Sequence, residues 1–285
     1  MDGKAYLPEA DWTELLKRNK WSTSFLRDAR YDGVVFLSSA ACGAEEFYSN
    51  QSNQYRSESL EQARLVDATL QQAWLGHPHC SIIDNSTNFA GKLQRMTEWV
   101  CQLVGLPVPS ERVKRFLVAN SLEKIPVPHT DFLLSKVYLQ SPPSVQRRIE
   151  TRTSTIPGSR PVYRYKEVRY DSKGCEPWDD NTYQNRIVDI RRIGRPEYLM
   201  LLQQASVDRS PVRQSVRNFI FKDQYFSHVR TLHPVWAKKL DYIEVTTSKS
   251  HNQIDLPPWL IVEDDVTDDI RFTSYVQSKI SSEKQ

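Results

Sequence analysis

Val145-Gln146-Arg147-Arg148-Ile149-Glu150-Thr151-Arg152-Thr153 decides the fold of the larger part of this 285-residue chain. Arg148, Glu150 and Arg152 recur at every second position, the period of a β-strand, in which alternate side chains share one face. The next such run, 161–170, sets Arg164 and Lys166 against Tyr163 and Tyr165. Working outward, 112–118, 185–192, 216–221, 224–231 and 241–247 read as further short strands, with Arg186 and Arg192 sharing parity with Val188 and Ile190. Turn-rich connections separate them, and the strand–helix–strand spacing of a parallel sheet is absent. An antiparallel sheet or closed barrel is therefore expected. One helix is expected from Pro196, carrying Tyr198, Leu199, Leu201 and Leu202, and 171–184 reads as an exposed loop.

Charge singles out the same region. The net charge of the chain is +3, but residues 112–230 carry 22 basic and 12 acidic groups, a balance of +10. The flanking segments are acidic, so the basic block points to an anionic partner of its own. Basic residues at period two can be the wet outer face of a sheet. Several strands each offering arginine can instead converge on a barrel interior, where the planar guanidinium binds phosphate in two places.

The first hundred residues read differently. Asp11 and Glu14 suggest a capping box for a helix through Lys20. Gly33-Val34-Val35-Phe36-Leu37 reads as a buried strand, and Ser57 as the cap of a helix with Leu60, Ala63, Val66, Leu70 and Ala73-Trp74 on one face. Ser81-Ile82-Ile83 is a second strand, followed by a helix with Leu93, Met96, Trp99-Val100 and Leu103. Strand, helix, strand, helix implies parallel strands with ligands at their carboxyl ends. This places Ser38-Ser39 and Asp84-Asn85-Ser86 at a candidate nucleotide site with Arg56. Asp84-Asn85-Ser86 is equally a turn and helix cap. His77, Pro78, His79 and Cys80 lie on one tight turn without partner ligands for a metal. Gly91-Lys92 sits in a helix and lacks the earlier glycine of a phosphate loop.

No run of about 18 apolar residues is present. Cys42, Cys80, Cys101 and Cys175 are scattered without a paired spacing, which reads as free thiols and a cytoplasmic setting.

Residues 34–104 resemble the second half of a NadR-like P-loop domain. The stretches that carry this are Ser38-Ser39-Ala40-Ala41-Cys42-Gly43-Ala44-Glu45-Glu46-Phe47-Tyr48, Tyr55-Arg56-Ser57-Glu58, Gln72-Ala73-Trp74-Leu75-Gly76-His77-Pro78 and Ile83-Asp84-Asn85-Ser86-Thr87. The chain as a whole is similar to the TRPL-translocation-defect proteins, in which this domain precedes a CYTH-like barrel. The expected fold class is α+β: a partial α/β P-loop-type segment over 1–107, then an antiparallel CYTH-like β-barrel or tunnel over 108–285. The GxxxxGK[ST] loop of such domains is absent, and Met1-Asp2-Gly3 resembles the tail of a Walker B segment, as if the chain began at an internal methionine.

The resemblance implies a non-catalytic protein that binds anionic phospholipid headgroups, a phosphoinositide or phosphatidic acid, and regulates membrane-protein trafficking. Headgroup binding is assigned to Arg115, Arg148, Arg152, Arg164, Lys166 and Arg192. Glu111-Arg112-Val113-Lys114-Arg115 resembles the CYTH opening ExExK, so Glu111 and Glu244 are the metal-ligand candidates, thinned from the enzyme pattern. No catalytic residue and no required cofactor are assigned, with GTP and Mg2+ reserved for a chain that includes the missing segment. The expected partners are an anionic membrane surface, met peripherally from the cytoplasm, and a membrane-protein cargo. Nucleic acid is not among them. The alternative is a metal-dependent triphosphate-tunnel phosphohydrolase acting on nucleoside triphosphate or polyphosphate.

Overall fold

The computed structural model describes residues 1–49, 58–104, 112–119, 122, 124–156, 158–170, 186–222, 224–247 and 254–280. The chain forms two compact units, Met1–Thr97 and Glu98–Gln285. The division falls inside a helix.

In the first unit, strands β1 (Val34–Leu37) and β2 (Cys80–Ile83) pair in parallel, with Val34 opposite Cys80 and Leu37 opposite Ile83. Helix α1 (Glu9–Asn19) precedes β1, α2 (Leu60–Trp74) connects the strands, and α3 (Phe89–Leu103) follows β2. The caps differ from expectation. Helix α1 starts behind Pro8 with no side-chain cap, which places Asp11 and Glu14 inside the helix. Ser59 caps α2: its hydroxyl accepts from the Gln62 amide, and the Gln62 side-chain oxygen accepts from the Ser59 amide. Ser57 lies outside the described residues. Among the described residues no further strand pairs with this two-stranded sheet, so backbone groups on its outer edges lack a strand partner there. Hydrogen exchange is therefore expected to be faster at 34–37 and 80–83 than at Ile149, Val216 and Ile243. Equal protection in a monomer would contradict this.

The second unit is one antiparallel sheet of nine strands in the order β11-β3-β10-β9-β8-β4-β5-β6-β7. The strands are β3 (Arg112–Val118), β4 (His129–Tyr138), β5 (Val145–Ser154), β6 (Val162–Tyr170), β7 (Arg186–Ile193), β8 (Val212–Phe221), β9 (Gln224–His233), β10 (Asp241–Thr247) and β11 (Val262–Asp265). The expected strands are present; β4 and β11 were not expected. Helix α4 (Arg195–Leu202) begins with proline in its first turn, as the sequence suggests. The loop expected over 171–184 lies outside the described residues. Among the described residues, β11 and β7 end the pairing, so in hydrogen bonding this is an open sheet and not a closed barrel.

The two faces differ in what covers them. One face carries Leu117, Tyr242, Val229, Val216 and Phe132, all on one cross-strand line. These five close over Val266 and Phe272. The segment after β11, including α5 (Ser274–Gln277), lies on this face. Tyr242 meets Phe272 edge-on at 5.2 Å, and Lys136 Nζ donates to Ser274 Oγ at 2.7 Å. We call it the inner face. The outer face packs Phe116, Phe219, Phe226, Ile243 and Val245 under Leu122 and Leu260. The outer side of β4 and β5 packs Val137 and Ile149 with Ile193 and Tyr198.

Candidate functional site

The register brings the predicted basic residues together. In one cross-strand row, Lys136 of β4 lies opposite Glu150 of β5, Glu150 opposite Arg164 of β6, and Arg164 opposite Arg192 of β7. The next row holds Tyr138, Arg148 and Lys166, and the row on the other side holds Leu134, Arg152 and Val162. Opposed residues share a face, so Lys136, Arg148, Arg152, Arg164, Lys166 and Arg192 all stand on the inner face. Among the described side chains of this face of β4–β7, these cations meet one carboxylate, Glu150. Four strands at about 4.8 Å spacing make the patch about 14 Å wide.

The patch is enclosed at β5 and β6 and exposed at Arg192 of β7. Arg152 and Arg164 are 6% and 8% exposed, and Arg152 stacks on the Phe132 ring at 3.6 Å. Arg148 Nε donates to Glu150 Oε1 at 2.6 Å. Burial pushes the Glu150 carboxyl up, but Arg148, Lys136 and Lys166 outweigh it and hold the carboxyl well below the usual range. A carboxylate inside a cluster of cations is an internal counter-ion.

Arg115 shares the inner face but stands apart. Four strands lie between β3 and β5 in the sheet, and Arg115 Nε donates to Glu244 Oε1 at 2.9 Å, its directly opposed neighbour. Glu111 lies outside the described residues. Glu244 is paired to Arg115 and Glu150 to Arg148, and the described residues contain no group of three or more potential metal ligands. A divalent ion needs several hard oxygen ligands at once, and these carboxylates do not fit one. Lys136 was missed because its strand was missed.

In the first unit, Ser38-Ser39 and Asp84-Asn85-Ser86 do meet at the carboxyl ends of β1 and β2. The side chains of Ser39, Asp84, Asn85 and Ser86 are engaged within the unit. Asn85 Nδ2 donates to the carbonyls of Ser39 and Cys42 at 2.7 and 2.8 Å. Asp84 Oδ1 accepts from Ser86 Oγ and from Arg95 Nη1, at 2.6 and 2.7 Å. Lys92, from the helix rather than a phosphate loop, donates to Ser38 O and Asn85 Oδ1. Arg56 lies outside the described residues. His77 is fully buried between the carbonyls of His79 and Tyr31, a structural role.

The outer face of β5 and β6 carries a different cluster. Glu167, which is buried, accepts from Tyr165 OH at 2.5 Å and from Arg147 and Arg169, each at 2.7 Å. The Tyr165 hydroxyl, helped by the two guanidiniums, pulls the Glu167 carboxyl down to about 2. A depressed carboxylate contributes stability above its unfolded value, about 4.3, which is lost as pH falls toward the folded value. Glu167→Gln is expected to cost about 1.5–3 kcal/mol at pH 7. Its urea midpoint should converge with that of the parent between about pH 4.5 and pH 2, and a constant gap would contradict the ionic origin.

No family model matches this chain, and no curated protein matches it. Among solved structures, "the inorganic triphosphatase NE1496" is 17% identical, covering 61% of this chain and 97% of its own, with a TM-score of 0.39. The PH1012 protein from Pyrococcus horikoshii OT3 is 14% identical over 49% of this chain and 79% of its own, at 0.32. A putative adenylate cyclase from Bacillus halodurans is 9% identical over 62% and 97%, at 0.31. With TM-scores below 0.5, these likenesses decide nothing about this chain. No described helix is long and apolar enough to cross a membrane.

Proposed function

We propose that the inner face of β4–β7 binds a compact anion carrying several phosphates, and that the chain serves as a binding protein for it. The observation that supports this is the row Lys136–Glu150–Arg164–Arg192 with Arg148, Lys166 and Arg152 on either side. Guanidinium groups suit phosphate because their donors lie in a fixed fork, and ionic hydrogen bonds in an enclosed site exceed those at a surface. A polyphosphorylated headgroup and a free polyphosphate present the same chemistry. The burial of Arg152 and Arg164 favours a ligand that enters over one met on a flat bilayer. In the lipid reading the headgroup must leave the plane of the membrane to reach them.

The carboxylates support binding more than turnover. Tunnel hydrolysis uses metal to neutralise developing charge and orient water. Glu150 and Glu244 are each held by an arginine. We place no nucleotide on Asp84 and Asn85, whose side chains serve the unit's own loops.

Calorimetry with tripolyphosphate tests the proposal, beside flotation with liposomes containing phosphoinositide or phosphatidic acid. Tripolyphosphate binding lost in Arg164→Gln supports a free polyphosphate, and flotation alone, lost in the same variant, supports the headgroup. Neither response would end the proposal. A phosphate-release assay with ATP, GTP and tripolyphosphate, in magnesium and in manganese, is expected to stay at background. Turnover lost in Glu150→Gln or Glu244→Gln would make the chain a phosphohydrolase.

A further inference from the structure

The segment 266–280 crosses the inner face and bounds the basic row on one side. Val266 and Phe272 pack against Phe132, Val216, Val229 and Tyr242. Thr267 Oγ1 accepts the Arg115 amide at 3.0 Å, and Thr231 Oγ1 donates to Gln277 Oε1 at 3.3 Å. These contacts fall on β3, β10, β9, β8 and β4, so the segment stands on the β4 side of the cations of β5–β7. Its far end is held from another direction. Arg209 Nη1 donates to the Tyr275 carbonyl and to Ser278 Oγ, each at 2.8 Å, and the Ser210 amide donates to the Ser278 carbonyl at 2.6 Å. Anchored at both ends, the segment is a wall rather than a flap.

Ser274 is where this wall meets the row. It is 6% exposed, and its hydroxyl accepts from Lys136 Nζ at 2.7 Å. A hydroxyl donates as well as accepts, and the Ser274 proton has no acceptor among the described residues. Buried polar groups are ordinarily satisfied, and beside an ammonium the acceptor best matched to that proton is an anionic oxygen. Tyr275 meets Tyr138 edge-on at 5.2 Å, and the Arg209 guanidinium lies 3.5 Å from the Tyr275 ring centre. Phe272 and Tyr275 thus flank Lys136 along β4, one on Phe132 and the other on Tyr138, and fill the way toward β8.

We propose that Ser274 and Lys136 form an end wall through which the inner face selects the end phosphate of a chain, an inference that rests on the phosphate reading of that face. An end phosphate has three unbridged oxygens and the larger negative charge. One oxygen placed between the Ser274 hydroxyl and the Lys136 ammonium leaves the others to the guanidiniums of the neighbouring strands. An internal phosphate has fewer such oxygens, and its chain must continue on both sides, one of which the wall fills. The end phosphate of a free polyphosphate and the phosphomonoester of a lipid headgroup share this chemistry.

The experiment, on the full chain, pairs ligands with and without such an end. Calorimetry compares tripolyphosphate with cyclic trimetaphosphate. Flotation compares liposomes bearing phosphatidic acid, a monoester, with liposomes bearing phosphatidylglycerol, a diester, so a free chain and a headgroup are told apart. Ser274→Ala is expected to bind the end-bearing ligand about tenfold or more weakly and its endless counterpart within about twofold of the parent. The charge difference between the two ligands is common to parent and variant, so the change in their affinity ratio isolates the hydroxyl. Lys136→Gln should narrow the same ratio, which keeps the test decisive if Ser274→Ala unfolds. Thr231→Val removes an anchor of the segment away from Lys136 and should leave the ratio within about twofold. An unchanged ratio in folded Ser274→Ala overturns the proposal, as does an equal loss for both ligands. A ratio that falls as far in Thr231→Val means that the seat of the segment matters and not the hydroxyl, and overturns it too. A parent that binds neither tripolyphosphate nor phosphatidic acid defeats the phosphate reading itself, whereas binding with an unchanged ratio defeats the end wall alone.

Discussion

Arg152→Gln combined with Arg164→Gln is expected to weaken tripolyphosphate binding by at least about 100-fold. Each hydrogen bond to a charged group in an enclosed site contributes about 1.5–3 kcal/mol, and about 1.4 kcal/mol corresponds to a factor of ten. Two such losses therefore amount to two orders of magnitude or more. The enclosure decides this magnitude, because a solvated ion pair contributes about 0–1 kcal/mol and is screened by salt. Arg152 and Arg164 are buried, and Arg152 is also braced against the Phe132 ring. Arg213, exposed on β8, is the control, and Arg213→Gln should change affinity less than twofold. Calorimetry at two salt concentrations reads both effects. Small, equal losses in all variants would mean a diffuse basic surface and would sink the enclosed site.

Glu150→Gln is expected to act in opposite directions on stability and on affinity. The carboxylate stands between Lys136 and Arg164 in its row and holds the Arg148 guanidinium at 2.6 Å. Removing one member of a buried ion pair typically costs about 3–5 kcal/mol, because the remaining charge stays in a poorly solvating site. The unliganded variant should lose about that much in urea unfolding. Its acid limb should also flatten. The depressed Glu150 carboxyl contributes stability above the ordinary glutamate range, and that contribution fades as pH falls through and below it. A multi-phosphate anion supplies the missing negative charge, so tripolyphosphate should bind the variant at least tenfold more tightly and restore most of the lost melting temperature. A variant that is destabilised yet binds more weakly would show that Glu150 orients ligand groups rather than competing with them.

The strand character of 145–153 and 161–170, and the shared face of Arg148 with Arg152 and of Arg164 with Lys166, were settled by the sequence alone. Parity along a strand is a local property, set by backbone geometry with a period of two. Two parallel strands in the first unit were legible for a similar reason, since short apolar β-branched runs alternate there with amphipathic helices. The strand His129–Tyr138 escaped because Phe132-Leu133-Leu134 is an apolar triplet that breaks the alternation. Leu133 stays half exposed on the outer side, so the triplet reflects no buried period. With that strand went Lys136, the first residue of the basic row. Val262–Asp265 escaped because a four-residue edge strand rich in carboxylates gives no strand signal.

Which faces meet, and in which order, was decided only in the tertiary structure. Arg115 has the same residue type and parity as the other basic candidates, yet strand order sets four strands between it and β5 and places it opposite Glu244. Glu150 reads in the sequence as one acid between two arginines; only pairing with β4 and β6 makes it a counter-ion flanked by Lys136 and Arg164. The ion pair of Arg217 with Asp131 joins β8 to β4 and leaves no signature in either strand. Strand pairing is a long-range contact whose register is selected by the packing of whole faces, so side chains far apart in the chain acquire their partners only when the sheet forms.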